Sequence, residues 1–144
     1  MTELDTDEKI ESLAHSALEA ALPRAEWTHA AHFALALWVL RYRAELGTPE
    51  EFREIILRLN GFHGTPNTDS EGYHHTITIA SLSAARHILS ADGADEPLAS
   101  VLGALINSEY GRADWILAYW SRELLFSVDA RRGWVAPDLR ELPF

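Results

Sequence analysis

Apolar positions recur along this chain at spacings of three and four residues, and nowhere in a sustained alternation of two, so the pattern predicts helices and no strand. Six helical segments can be drawn. The first runs from about Thr6 to Ala21, with Ile10, Leu13, Ala14, Ala17, Leu18 and Ala21 on one face, acids in its first turn and Pro23 as its breaker. A second opens at Thr28, an expected N-cap, and closes at Gly47 as the C′ glycine. Thr48-Pro49-Glu50-Glu51 has the form of a capping box with proline at N1; it starts the third, which Asn60-Gly61 ends. The fourth spans Tyr73 to Ala91 and stops at Asp92-Gly93, the fifth runs from about Pro97 to Asn107, and the sixth from about Ala113 to Phe126. Beyond Ser127 there is room for one short turn before Pro137, with Trp134, Leu139, Leu142 and Phe144 pinning the tail to the body. No repeat, linker or low-complexity tract interrupts this order. The expected fold is therefore all-α: a single-domain helical bundle of five to six helices over residues 1–144, with an extended C-terminal tail.

Histidines fall on the wrong side of these helices. At about 100° per residue, Ala30, Ala34, Arg41 and Glu45 cluster on one side of the second helix, and His29 and His32 straddle the opposite, core-facing direction. On the fourth helix His74 sits in the middle of an apolar arc with Ile77, Leu82 and Ile88, and Thr78 and Ser81 share its face. His75 lies at the edge of that arc; His15 and His87 point outward, the latter with Thr76 and Ser83; His63 stands in a loop. Burying an imidazole is costly unless it is hydrogen-bonded or ligated.

That loop, from Gly61 to Gly72, is the longest polar break in the chain and carries His63, Asn67, Asp69 and Glu71 directly into His74. Its length and composition mark it as a lid or ligand loop over a histidine pocket, against the plainer reading of a surface connection.

Composition narrows the chemistry. There are no cysteines, which removes disulfides, thiolate catalysis and thiolate ligation together. Net charge is −10 and no basic stripe is visible, so a nucleic-acid partner is not expected. The first residues are acidic, without a signal-peptide apolar region, and the longest apolar run, Phe33 to Leu40, is too short to span a bilayer; the chain reads as cytoplasmic, with no membrane partner. Nucleotide-binding loops, the serine-hydrolase elbow and the zincin motif are all absent.

What remains is His-x-x-His at the start of a buried helix plus one inward histidine from another. Neutral imidazole is a common ligand for divalent transition metals such as Zn, Fe, Mn, Ni or Cu. His29, His32 and His74 together would make a three-histidine site with an open position. Around it, His63, Glu71 and His75 are candidate catalytic acids, bases or added ligands, and Thr78 a cofactor-binding or substrate-contacting group. Glu26-Trp27-Thr28-His29 has the Glu-x-x-His spacing of di-iron bundles, but a second such pair is missing.

The segments Trp27-Thr28-His29-Ala30-Ala31-His32, Gly72-Tyr73-His74-His75-Thr76-Ile77-Thr78 and Glu123-Leu124-Leu125-Phe126-Ser127 through Trp134 resemble a family of short bacterial proteins. That family has a [FW]-T-H-x-x-H start and a Y-H-x-T-[IL]-T helix, and the likeness implies no particular activity. Where many of its members have glutamate after Tyr-His, this chain has His75. The bundle is also similar to the DinB-like helical proteins, which hold a metal with three histidines, although their later H-x-x-x-H pair is missing here.

The leading expectation is a small metal-binding protein, hydrolase or oxidoreductase, acting on a small organic molecule in an aromatic-walled pocket. Two alternatives stand beside it: a non-catalytic small-molecule binding module with a histidine-lined pocket, and a helical interaction protein whose acidic face meets a basic partner. A homodimer stays open.

Overall fold

The second helix, α2 (His29–Tyr42), is the centre of the fold because it has no polar face. Ala31 and all residues from 33 to 39 are buried, including Ala34, which the helical phase had turned outward. A helix that is apolar all round needs cover on every side. In the computed structural model, which describes residues 3–91 and 94–144, α1 (Asp7–Leu18), α4 (His75–Ala91) and α5 (Leu98–Ile106) supply it. A third helix, α3 (Pro49–His63), closes the bundle against α1 and α4. No strand occurs among the described residues, and no helix of the described residues is long and apolar enough to cross a membrane.

Threonine hydroxyls start the first three helices. Thr6 accepts from Lys9 N, Thr28 from Ala31 N and Thr48 from Glu51 N, each at 3.2 Å. The ends depart from expectation. Helix α1 stops at Leu18, before Ala21, and Ala20 takes φ +53° at its end, with Ala21 N bonded back to Ser16 O. α2 stops at Tyr42 and a 3₁₀ turn follows at Ala44–Leu46, while Gly47 has an ordinary φ of −87°. α3 runs through Asn60-Gly61 to His63, because the left-handed glycine is Gly64 at φ 72°. His63 is thus helical, and the loop begins at Gly64. The expected stop of α4 at Asp92-Gly93 lies outside the described residues.

The predicted sixth helix is not one helix. A 3₁₀ turn at Trp115–Ala118 is followed by two short helices, α6 (Arg122–Leu125) and α7 (Val128–Arg132), making seven among the described residues. The tail explains the break. Tyr119 O receives Leu139 N at 2.9 Å instead of a later residue of its own helix. Asp138 accepts from both Ser121 N and Ser121 Oγ at 2.7 Å, drawing the chain into an extended turn. The same tail buries Thr76, expected outward: its hydroxyl donates to Gly133 O at 2.7 Å and accepts from Val135 N at 3.2 Å. Trp115, Tyr119 and Trp120 are core, whereas Phe126 is 51% exposed.

Candidate functional site

His32 is the centre of the site, and local helix chemistry places it. With Thr28 capping α2, the Thr28 carbonyl faces the first turn and accepts both the backbone N–H of His32 at 3.0 Å and its ring Nδ1–H at 2.7 Å. A carbonyl only accepts, so Nδ1 carries the proton and Nε2 keeps a bare lone pair. Trp27 lies flat on the ring, with centroids 3.7 Å apart and 28° between planes. Burial lowers the imidazole pKa to about 4, the Thr28 carbonyl opposing the shift and neighbouring His29 adding to it. At neutral pH this side chain is an uncharged, fixed hydrogen-bond acceptor.

Two cavities meet at this ring. An inner one of about 320 Å³ has walls from α2, α3, α4 and the Trp115 turn, mainly Phe33, Phe52, Leu82 and Ile116. An outer one of about 430 Å³ is bordered by Arg24, Trp27, Asn60, His63 and Tyr73. Both are lined by His32, Ile56, Ile77 and Thr78, which form the divide. A larger cleft of about 640 Å³ lies beyond His29, against residues 3–5 and α5; of the histidines it touches only His29, with Glu26 and Thr28 beside it.

The remaining singled-out residues have defined posts. His29, the first residue of α2, gives its Nε2–H to Tyr110 O at 2.8 Å and meets Phe33 edge-on. His63 gives its Nε2–H to Leu22 O at 2.8 Å and borders the outer cavity. His74 stands immediately before α4 and uses both nitrogens: Nε2–H donates to Leu125 O at 2.6 Å, and Nδ1 accepts from Ile77 N at 3.2 Å. That is N-capping by an imidazole, and it leaves His74 no lone pair for a metal. Burial lowers its pKa, against the Leu125 carbonyl bond, and Arg131 pushes the same way as burial. Thr78 donates to His74 O at 3.0 Å from the divide. His75 sits 2.7 Å from the Tyr73 hydroxyl, away from both cavities; burial lowers its pKa, with Arg53 acting in the same direction.

Glu71 is exposed and borders neither cavity. The loop that carries it is shorter than expected and is tied down. Asn67 Oδ1 accepts from Asn60 Nδ2 at 2.9 Å and Tyr73 N at 3.0 Å. From α7, Arg132 forks onto Asp69 at 2.8 Å and Arg131 donates to Gly72 O at 3.1 Å. Gly72 has φ +85°, and a Cβ there would run into Pro66 O and Asn67, so only glycine closes this loop.

His29, His32 and His74 are not assembled as one ligand set, and no group of three or more His, Asp or Glu placed to hold a metal ion occurs among the described residues. Trp27, Arg24 and Asn60 were missed as site residues in the sequence. Trp27 carried the one usable signal, an aromatic ahead of Thr28-His29 at the mouth of a buried helix. No family model, curated protein or solved structure matches the chain. The family likeness of its motifs therefore adds nothing to the geometry.

Proposed function

We propose that this chain binds a small, mostly apolar organic molecule in the paired cavities flanking His32, which accepts a hydrogen bond from the ligand. The supporting observation is the His32 ring itself: fixed by Thr28 and Trp27, uncharged, left with a bare Nε2 by the Nδ1–H bond, and lining both cavities. A cavity of about 320 Å³ walled mainly by aromatic and aliphatic side chains, with His29, His32, Thr78 and Ser81 as its few polar groups, has the build of a small-ligand site, for which about 300–1,000 Å³ is usual. With a pKa near 4 the imidazole is a poor proton acceptor at neutral pH, so the reading is recognition rather than acid–base catalysis.

Calorimetric titration with indole-3-acetamide, an apolar ring with N–H donors, tests this. Wild type is expected to bind it and His32→Phe, which keeps the Trp27 stack and loses the acceptor, to bind about tenfold more weakly. No binding to wild type, or equal binding to both, would sink the proposal.

A second reading keeps a divalent transition metal (Zn, Fe, Mn, Ni or Cu). His29, His32 and His63 each fix one ring nitrogen on a main-chain carbonyl, the device that orients metal-ligating imidazoles. Elemental analysis after supplementation, with a thermal shift on metal addition, separates it from the first.

A further inference from the structure

We infer that the ligand is a carboxylate, with its apolar body in the inner cavity and its anionic head at Arg24 in the outer one. This rests on the binding reading above and adds the charge and orientation of what is bound. The chain has 22 acidic and 12 basic residues, so a wall chosen at random should be acidic. The 640 Å³ cleft is: Glu3, Asp5 and Glu26 line it, and no lysine or arginine does. The outer His32 cavity inverts that bias. No aspartate or glutamate lines it, and Arg24 is its one lysine or arginine. The same cavity is lined by the Asn60 amide, which keeps one N–H beyond its bond to Asn67, and by the Thr65 hydroxyl, both able to donate to an anion.

The inner cavity has no lysine, arginine, aspartate or glutamate among its lining residues. An anionic head there would find no cation: His29 and Thr78 already donate to main-chain carbonyls, Ser81 offers a single hydroxyl, and the bare Nε2 of His32 repels it. The two chambers therefore sort a ligand by polarity. An apolar ring enters past His32 toward Phe33 and Phe52, its N–H or O–H donor lands on Nε2, and its acid group stays by Arg24. A single guanidinium matches a monoanion, and its planar fork pairs with the two oxygens of a carboxylate.

The discriminating experiment compares indole-3-acetate with its neutral isostere indole-3-acetamide by calorimetry at pH 7, on wild type, Arg24→Gln and His32→Phe. Arg24 is exposed, so its variant should keep the wild-type melting temperature. Wild type is expected to prefer the carboxylate by about three- to fivefold, the size of a solvent-exposed ion pair. Arg24→Gln should erase that preference, with the loss of affinity larger for the carboxylate than for the amide. Equal affinities on wild type, or a preference that survives Arg24→Gln, would overturn the carboxylate inference while amide binding that still depends on His32 upholds the binding reading. If neither compound binds wild type, both fall.

Discussion

An imidazole that gives its one proton to a main-chain carbonyl and keeps a bare nitrogen resists protonation, because the charged form would have to be desolvated. For His32 the consequence is a linkage between pH and stability. Its pKa falls from 6.5 to about 4 on folding, so between those values the unfolded chain holds a proton that the folded chain refuses. Stability contributed by the neutral ring is complete above about pH 6.5 and is lost as pH falls toward 4. His74 and His75, also lowered by burial, act in the same direction. Urea unfolding at pH 7 and pH 5 should show wild type losing about 2 kcal/mol more than His32→Phe. An equal loss in both would mean that His32 is not buried neutral. The inward phase of His29, His32 and His74 was legible from helical spacing. Their partners were not: each is a main-chain carbonyl, and for His29 and His74 it lies 81 and 51 residues away. Residue type says nothing about where a backbone oxygen ends up, so three inward histidines looked like a ligand set.

Caps decide where the elements begin and end. His74 starts α4 through Nδ1 and ties it to α6 through Leu125, so His74→Ala removes a cap and leaves a carbonyl without its donor. A loss of about 2–4 kcal/mol in urea unfolding is expected, with His74→Asn recovering about 1 kcal/mol by restoring the cap acceptor. Unchanged stability in His74→Ala would contradict the capping role. At the end of α1, Ala20 holds the left-handed position that usually falls to glycine, with Ala21 N closing onto Ser16 O at 2.8 Å. Ala20→Gly should relieve that strain and raise stability by about 0.5–1 kcal/mol, a rise of roughly 2–3 °C in the melting temperature. A lower melting temperature would show that the added freedom of the unfolded chain outweighs the strain. Threonine caps and the capping box at Thr48 could be read directly, since side chain and target lie three residues apart. The end of α3 could not: Gly61 and Gly64 are both plausible stops, and the choice falls to Gly64 because the loop behind it is held by Asn60, Asn67 and α7.

At the scale of the molecule, hydrophobic spacing was enough to predict an all-α bundle, because α1, α3, α4 and α5 follow their own periodicity. It failed after residue 112, where the backbone of Tyr119 and the hydroxyl of Ser121 are claimed by a tail that returns from 138–140. That return also covers Thr76 and leaves a core with α2 at its centre and two small chambers beside His32. Long-range ¹H–¹⁵N spectra of the imidazoles, recorded with and without indole-3-acetamide, test this account most directly. His32 is expected to show a protonated Nδ1 and a bare Nε2 down to about pH 4, and only that Nε2 should move toward the hydrogen-bonded range when the ligand is added. His74 should keep its Nε2 protonated and unmoved throughout. A His32 ring protonated at Nε2, or one whose Nε2 ignores a ligand that binds elsewhere, would contradict it.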